Sequence, residues 1–381
     1  MHYLKSLGAA AVLAGILSGC GHSTSNPVVT IVPATANGVF VDAPVEGLSY
    51  VSGSHKGKTD AAGTFTYEIG QPVTFQVGDI VLGQAPGEPV ITPLELVKSV
   101  DVTASNSDAR VVNIVRFLLS VNGNADATKI IIPDAVTMAA AGKSIDFSNE
   151  SQLTAVVSQI APDRNLVNAA TALAHFSDNL AALSQQFAGS YILASPDTLL
   201  RIVVGPDGTV SGTAKNVFNE ESTVTGMVTT PCSFSGTLTG PVTLSLWGNV
   251  DLWGNISLNT QNPENGIRST QTFTGFRTGP VDAKYTGVYT SALNNGTVTL
   301  TVNADGTLSG TYVNKNAQTY TVGGAVSSTG TFEALAVGPD TAVINGVLDG
   351  TVNLAGIFVE LDPMEGSPSN TRFTGVKTSS P

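Results

Sequence analysis

Most side-chain chemistry near neutral pH is carried by a few residue types, and this chain is sparing with them. Of its four histidines, His2 and His22 lie close to the N-terminus. Only His55 and His175 fall in stretches patterned like folded structure, and they lie far apart in sequence. A Ser-His-Asp site would have to recruit one of these two. No G-x-S-x-G, H-E-x-x-H or phosphate-loop motif accompanies them. Zinc needs three or four nitrogen or sulfur ligands, and Cys232 with two histidines is a thin set. Cys232 lies in the small, apolar run CSFSGTL with no base nearby in sequence, so it reads as a buried, inert thiol. Asn122, Asn124 and Asp126 have the spacing that opens a calcium loop. Ala127 replaces its glycine, however, and Pro133 stands where the bidentate Glu belongs, so an Asn/Asp-rich turn is expected instead. Paired carboxylates leave no short motif, and Asp60, Asp207 and Asp305 all sit in turn-forming sequence. No catalytic, cofactor-binding or metal-ligating residue is therefore assigned. Trp247 and Trp253, in SLWGNVDLWGN, are the candidate binding residues, for a glycan or an envelope protein. Packing inside the fold is the other reading. A spacing of six puts both rings on one face of a strand, unless Gly248-Asn249 breaks it.

The remaining reactive side chain is Cys20. Lys5 precedes an apolar, small-residue run from Leu7 to Leu17, which ends in Leu17-Ser18-Gly19-Cys20. The run is too short to span a bilayer. The arrangement resembles the signal and lipobox of bacterial lipoproteins of the outer-membrane type. That resemblance implies that residues 1–19 are a signal peptide and that the Cys20 thiol is acylated. Cys20 then becomes the N-terminus and the link to a membrane. Gly21 stands where Asp would imply inner-membrane retention, so the outer membrane is expected, on its periplasmic face or at the cell surface. An ordinary secretory signal with an incidental Cys20 is the alternative. Residues 20–37 hold the lipidated cysteine and a tether rich in Ser, Thr and Pro. With Cys20 acylated, Cys232 has no disulfide partner within the chain.

The elements that would position these residues are mainly β. Charged residues make up 12% of the 381 positions and mean hydropathy is +0.19. That composition excludes a disordered polyelectrolyte. A formal charge of -12 excludes nucleic acid as the natural partner. Residues 38–91 alternate apolar and polar positions between turns. Val39, Asp42, Ala43, Pro44, Val45 and Gly47, then Thr59, Asp60, Gly63 and Phe65, resemble the carboxypeptidase-regulatory, transthyretin-like β-sandwich. The resemblance implies a structural or adhesive module. Residues 92–186 read as a helical segment. Thr92-Pro93-Leu94-Glu95 is a capping box with Pro at the first helical position, and further helices are expected over 107–121, about 150–160 and 163–187. His175 falls beside the apolar stripe of the last one. The TPLELV and VVNIVRFL runs, taken with the β module, are similar to a group of bacterial envelope lipoproteins. That similarity implies a location and a fold, not an activity.

The C-terminal half repeats itself. Phe187–Tyr191 aligns with Tyr285–Tyr289, GPDGTVSGT at 205–213 with NADGTLSGT at 303–311, and TVTG at 223–226 with TVGG at 321–324, all at an offset of 98. Phe273-Thr274-Gly275 aligns with Phe373-Thr374-Gly375 at an offset of 100. Such a pattern reads as duplication of a whole domain. Two eight-stranded antiparallel barrel-like domains are expected, at 187–280 and 281–381, each with an Asp-Gly hairpin turn. Lipid-spanning barrels are the competing picture, but several strands are short for that and aromatic residues are only 6%. The fold class is thus mainly β with a helical insert: a small β-sandwich, a helical segment, then the two duplicated barrels. The function expected is that of a lipid-anchored cell-envelope protein with a non-catalytic binding, adhesive or structural role. A periplasmic carrier holding an apolar small molecule inside a barrel is the alternative. A carboxylate-based hydrolase, the third reading, requires acids clustered in a cleft.

Overall fold

The computed structural model describes residues 34–229, 232–261, 271–294, 296–361 and 367–379. Cys20, the signal peptide and nearly all of the tether lie outside the described residues. The chain begins with eight short strands: β1 (Thr35–Phe40), β2 (Val45–Glu46), β3 (Ser49–Ser52), β4 (His55–Lys58), β5 (Thr64–Glu68), β6 (Pro72–Val77), β7 (Ile80–Pro86) and β8 (Val90–Ile91). They form a three-stranded sheet ordered β5-β1-β8 and a four-stranded sheet ordered β4-β3-β6-β7. The period of two in β6 buries Val73, Phe75 and Val77. Phe75 packs against Phe40 and Phe65, with ring centroids 4.7 and 5.1 Å apart. β1 ends before Asp42, and Ala43 turns the chain at φ +59°. His55 and Lys56 lie in β4, just after the hairpin turn. The turn is Gly53-Ser54, where the Glu68 carboxylate accepts hydrogen bonds from the Ser54 backbone and hydroxyl.

The helical segment contains α1 (Pro93–Lys98), α2 (Ala109–Val121), β9 (Ile130–Ile131), α3 (Asp134–Ala139), α4 (Glu150–Ile160) and α5 (Ala169–Gln186). Thr92 and Glu95 close the capping box of α1 reciprocally. The last helix starts six residues later than the expected 163. Asn168 caps it, accepting from the Thr171 N–H at 2.8 Å. α3 was not anticipated; six residues carry too little period to read. The short β9 pairs in parallel with β2. Arg116 of α2 fastens the segment: it donates to the Val167 carbonyl at 2.7 Å and to Asn113 at 2.9 Å, and pairs with Glu150 at 2.9 Å.

Two closed eight-stranded antiparallel barrels follow. The first comprises β10 (Gly189–Ala194), β11 (Thr198–Val204), β12 (Thr209–Asn216), β13 (Glu221–Thr229), β14 (Ser233–Thr239), β15 (Thr243–Val250), β16 (Asn255–Gln261) and β17 (Thr272–Arg277). The second comprises β18 (Gly287–Leu293), β19 (Gly296–Val302), β20 (Thr307–Val313), β21 (Thr319–Val326), β22 (Thr331–Val337), β23 (Thr341–Leu348), β24 (Asn353–Leu361) and β25 (Pro368–Ser379). Each runs up and down in chain order and closes by pairing its first strand with its last. The repeat is visible in that closure: Leu193 opposes Gly275 in one barrel, and Ser291 opposes Gly375 in the other. Asp207 and Asp305 each accept from the backbone N–H and hydroxyl of the Thr two residues on. Gly208 and Gly306 follow them at φ +82° and +81°, where a β-carbon is strained.

Closure leaves no free edge, and eight strands enclose a space that side chains can fill. Tyr191, Phe234 and Phe273 are among those buried in the first interior, and Tyr289, Tyr312, Phe332 and Phe358 in the second. The first interior is continuous with the core of the β and helical segments, whereas the second has a core of its own. A separate apolar seam joins the barrels. Ile192, Ala194, Leu199, Val217 and Phe276 of the first meet Ala325, Leu335, Val343 and Val359 of the second. Arg201 donates across the seam to the Gly323 carbonyl at 2.7 Å.

Candidate interaction face on the first barrel

Trp247 lies on β15 with its side chain directed outward; the residue is 44% exposed. Expectation and structure differ on how it gets there. β15 runs unbroken through Gly248-Asn249 to Val250, so Trp253 does not share its strand. Trp253 instead occupies the β15–β16 turn and is 52% exposed. Neither ring packs into the barrel core. Gly248 keeps the strand continuous because the neighbouring strand lies too close for a side chain. A β-carbon there would collide with the Ser257 carbonyl and the Leu258 Cα.

Strand pairing places Trp247 in a row of outward residues: Met227, Ser235, Trp247, Asn259 and Thr272. The row on one side is Thr229, Ser233, Asn249, Ser257 and Thr274; on the other it is Thr225, Thr237, Ser245 and Gln261. These three rows carry hydroxyl and amide groups, one aromatic ring and one thioether, and no charge. The Thr272 hydroxyl donates to Asn259 Oδ1 at 2.9 Å, which leaves the Asn259 amide N–H groups for another partner. Sequence reading missed Met227 and Asn259, which only the register brings beside Trp247.

Other chemistry-bearing residues are dispersed. Cys232 is fully buried, and burial pushes its thiol up to about 12, far from a reactive thiolate. Asp60 is a turn residue, accepting from the Ala62 and Thr64 N–H groups. Asn122 Oδ1 accepts from the Asn124 and Ile131 N–H groups, and Asp126 Oδ1 from that of Thr128, so these oxygens order a loop. Among the described residues no three His, Cys, Asp or Glu side chains gather as a metal set.

One unforeseen pairing is that of Asp42 and His175. Asp42 is fully buried in the β1–β2 turn beneath α5, and neither carboxyl oxygen has a hydrogen-bond partner. His175 Nε2 stands 3.4 Å from Oδ1 and is also close to Asn179. Burial raises the Asp42 carboxyl to about 8. Glu333 is the counterpart in the second barrel: it is buried on the outer face of β22 and raised by burial to about 8.

Openings into the barrels are small or polar. A recess of about 130 Å³ sits at one mouth of the first barrel, beside Ala214, Leu238 and Phe273. Gln271 spans that mouth, donating to Ser195 at 2.8 Å and Asp197 at 2.7 Å. The equivalent mouth of the second barrel has a recess of about 310 Å³ lined by Asn294, Tyr312, Asn314, Lys315 and Glu360. Among the described residues no helix is long and apolar enough to cross a membrane.

No family model matches the sequence, and no curated protein matches it. Similar solved structures include a transferrin binding protein B mutant from Haemophilus parasuis, at 11% identity and a TM-score of 0.18, over 47% of this chain and 65% of that one. Another is the isotype 1 transferrin binding protein B from serogroup B Neisseria meningitidis, at 10% identity and a TM-score of 0.19, over 48% of this chain and 58% of that one. The chain thus spans under two thirds of the length of these two structures.

Proposed function

We propose that this chain is a lipid-anchored protein of the bacterial outer membrane with a non-catalytic binding or adhesive role. In this reading Cys20 carries the acyl chains and residues 21–34 are the tether, shorter than expected because Thr35, Ala36 and Asn37 already pair with β5 as part of β1. The β module and helical segment form the base for two barrels that recognise a partner with their outer surfaces. The observation that carries the reading is that both barrel interiors are filled by the protein's own side chains. A carrier of apolar molecules needs an enclosed site, commonly of ~300–1,000 Å³. The first barrel offers about 130 Å³ at its mouth, and the larger recess of the second is lined by amide and charged groups. Recognition is therefore assigned to the outside, with Trp247 and Trp253 as the contact residues and an envelope protein or a glycan as the partner.

Two measurements test this. Cell fractionation should move a Cys20→Ala variant from the membrane to the soluble fraction; unchanged membrane association would count against the anchor. Mass spectrometry of the purified protein under native conditions should find no apolar small molecule retained in either barrel. A stoichiometric one would favour the carrier.

A further inference from the structure

The seam between the barrels does not close along its whole length. Where the chain passes from one barrel to the other, a cleft of about 420 Å³ opens between them. The strand period builds one wall. Ile192 on β10, and Arg201 and Val203 on β11, alternate with the core residues Tyr191 and Ile202, so they point away from the first interior. Arg201 pairs across the ladder with Ile192. Ile192 is buried, and Val203, 52% exposed, forms the rim. The second barrel supplies the other wall with Ala325 and the β19–β20 turn that carries Asp305. Close backbone approach fixes that turn against the linker. The Val281 N–H donates to the Ala304 carbonyl at 3.1 Å, and a β-carbon on Gly306 would collide with the Gly279 carbonyl.

Two charges of opposite sign line this cleft and do not pair with each other. Arg201 gives one N–H to the Gly323 carbonyl at 2.7 Å and has no ion pair among the described residues. The rest of its planar fork is open to a carboxylate, which it fits bidentately. Asp305 Oδ1 accepts from the Thr307 N–H at 2.9 Å and the Thr307 hydroxyl at 2.7 Å, which leaves Oδ2 to accept from a ligand. The duplication does not repeat the arrangement. Positions equivalent to Ile192, Arg201 and Val203 are Thr290, Thr299 and Thr301 in the second barrel. The charge pattern narrows the occupant. A simple anion would meet Asp305, a simple cation would meet Arg201, and a neutral molecule would leave both unpaired. A zwitterion satisfies both. An apolar side chain on it would cover Ile192, Val203 and Ala325. Small-molecule sites of ~300–1,000 Å³ are common at domain boundaries.

We propose that the cleft between the barrels binds an amino acid or dipeptide with an apolar side chain. Its carboxylate sits on Arg201, its ammonium on Asp305 and its side chain against Ile192, Val203 and Ala325. The site lies outside both barrel interiors and depends neither on the lipid anchor nor on the two tryptophans.

The test is calorimetric titration of the full chain, solubilised in detergent, with leucine, leucyl-leucine, N-acetyl-leucine and leucinamide. N-acetylation removes the ammonium, and the amide removes the carboxylate. Wild type should bind leucine or leucyl-leucine, and either blocked analogue more weakly by about tenfold or more, as loss of a charge-assisted bond implies. Arg201→Gln should weaken zwitterion binding by about tenfold or more for the same reason. Asp305→Asn keeps the acceptor for Thr307 and removes the charge. It should weaken leucine several-fold and narrow the gap between leucine and N-acetyl-leucine, a change that loosening of the turn alone would not produce. Arg201→Gln also removes a bond across the seam, so Val203→Trp gives an independent check. It fills the cleft from its exposed rim, leaves Arg201 in place, and should abolish binding with the thermal midpoint unchanged. Failure of wild type to bind either zwitterion would overturn the proposal, as would equal binding of N-acetyl-leucine or wild-type affinity in Val203→Trp. A Cys20→Ala variant that stays on the membrane would count against the anchor and leave this titration unaffected, so the two readings fail separately.

Discussion

Burial without a hydrogen-bond partner sets Asp42 and Glu333 apart from the other acids. Several carboxylates sit in turns, where bonds from nearby hydroxyls and backbone N–H groups favour the ionised form; Thr209 lowers Asp207 and Thr307 lowers Asp305 in this way. Glu333 has the opposite environment. It lies on the outer face of β22 next to Leu335 of the seam, Oε2 is unpartnered, and its carboxyl is raised from 4.5 to about 8. A carboxyl raised on folding binds its proton more tightly in the folded state. Its contribution to stability is therefore complete below about pH 4.5, is lost as pH rises toward about 8, and stays lost above that. Glu333→Gln keeps the shape without the charge. Denaturant titrations should show the variant close to wild type at pH 5 and more stable by ~1–3 kcal/mol at pH 8.5. A gap that does not change with pH would refute this. A second residue-scale feature is shared by both repeats. The Tyr191 hydroxyl donates to the Phe187 carbonyl at 2.8 Å, and the Tyr289 hydroxyl to that of Tyr285 at 3.0 Å. Both rings are buried where the chain enters the barrel. Tyr289→Phe strands a carbonyl and should cost ~1–2 kcal/mol by the same titration.

At the scale of elements, the second barrel's strands fall close to where alternation and turn residues place them, because a half-buried strand must alternate and its hairpins need Gly or Asp. α1 and α4 were legible for similarly local reasons, a capping box and a short apolar period. What escaped was set by neighbours distant in sequence. The start of α5 is decided by the Asn168 cap, six residues after the expected start at 163, and the apolar stripe that begins inside the helix does not mark it. Gly248 reads as a strand breaker, yet β15 passes through it because the barrel brings β16 too close for a side chain. Gly346 holds the equivalent place in the second barrel, where a β-carbon would meet the Ala355 carbonyl and the Gly356 Cα. The candidate face was half legible for the same reason. Two tryptophans stand out in any composition, but which hydroxyls and amides surround Trp247 depends on register across four strands. Gly248→Val should force β15 and β16 apart and destabilise the fold by ~2–3 kcal/mol. Ser245→Ala, outward on the same strand, should stay within ~0.5 kcal/mol. Equal effects in thermal unfolding would show that close approach is not what the glycine provides.

The whole molecule is held together unevenly, and that predicts how it comes apart. One continuous core runs from Phe40 through the helices to Phe273, so the β module, the helical segment and the first barrel share buried surface. The second barrel has its own core and its own closed ladder. It touches the rest through a narrow apolar seam, the Arg201 bond to Gly323 and the Asn219–Thr341 bond at 3.1 Å. A unit with its own core and few crossing contacts can unfold by itself. Leu335 is the residue to alter, because it lies in the seam and outside both interiors. Leu335→Asp buries an unpaired charge there, at a cost of ~3 kcal/mol or more. Calorimetry should then show the transition of the second barrel moving down while that of the remainder holds its position. Limited proteolysis should cut within residues 278–286 and leave the second barrel intact. The barrel is relieved of its neighbour, not opened, because its ladder and interior side chains are untouched by the change. A single transition that moves down as a whole would mean that the seam couples all parts into one cooperative unit, and the division argued from the cores would fall.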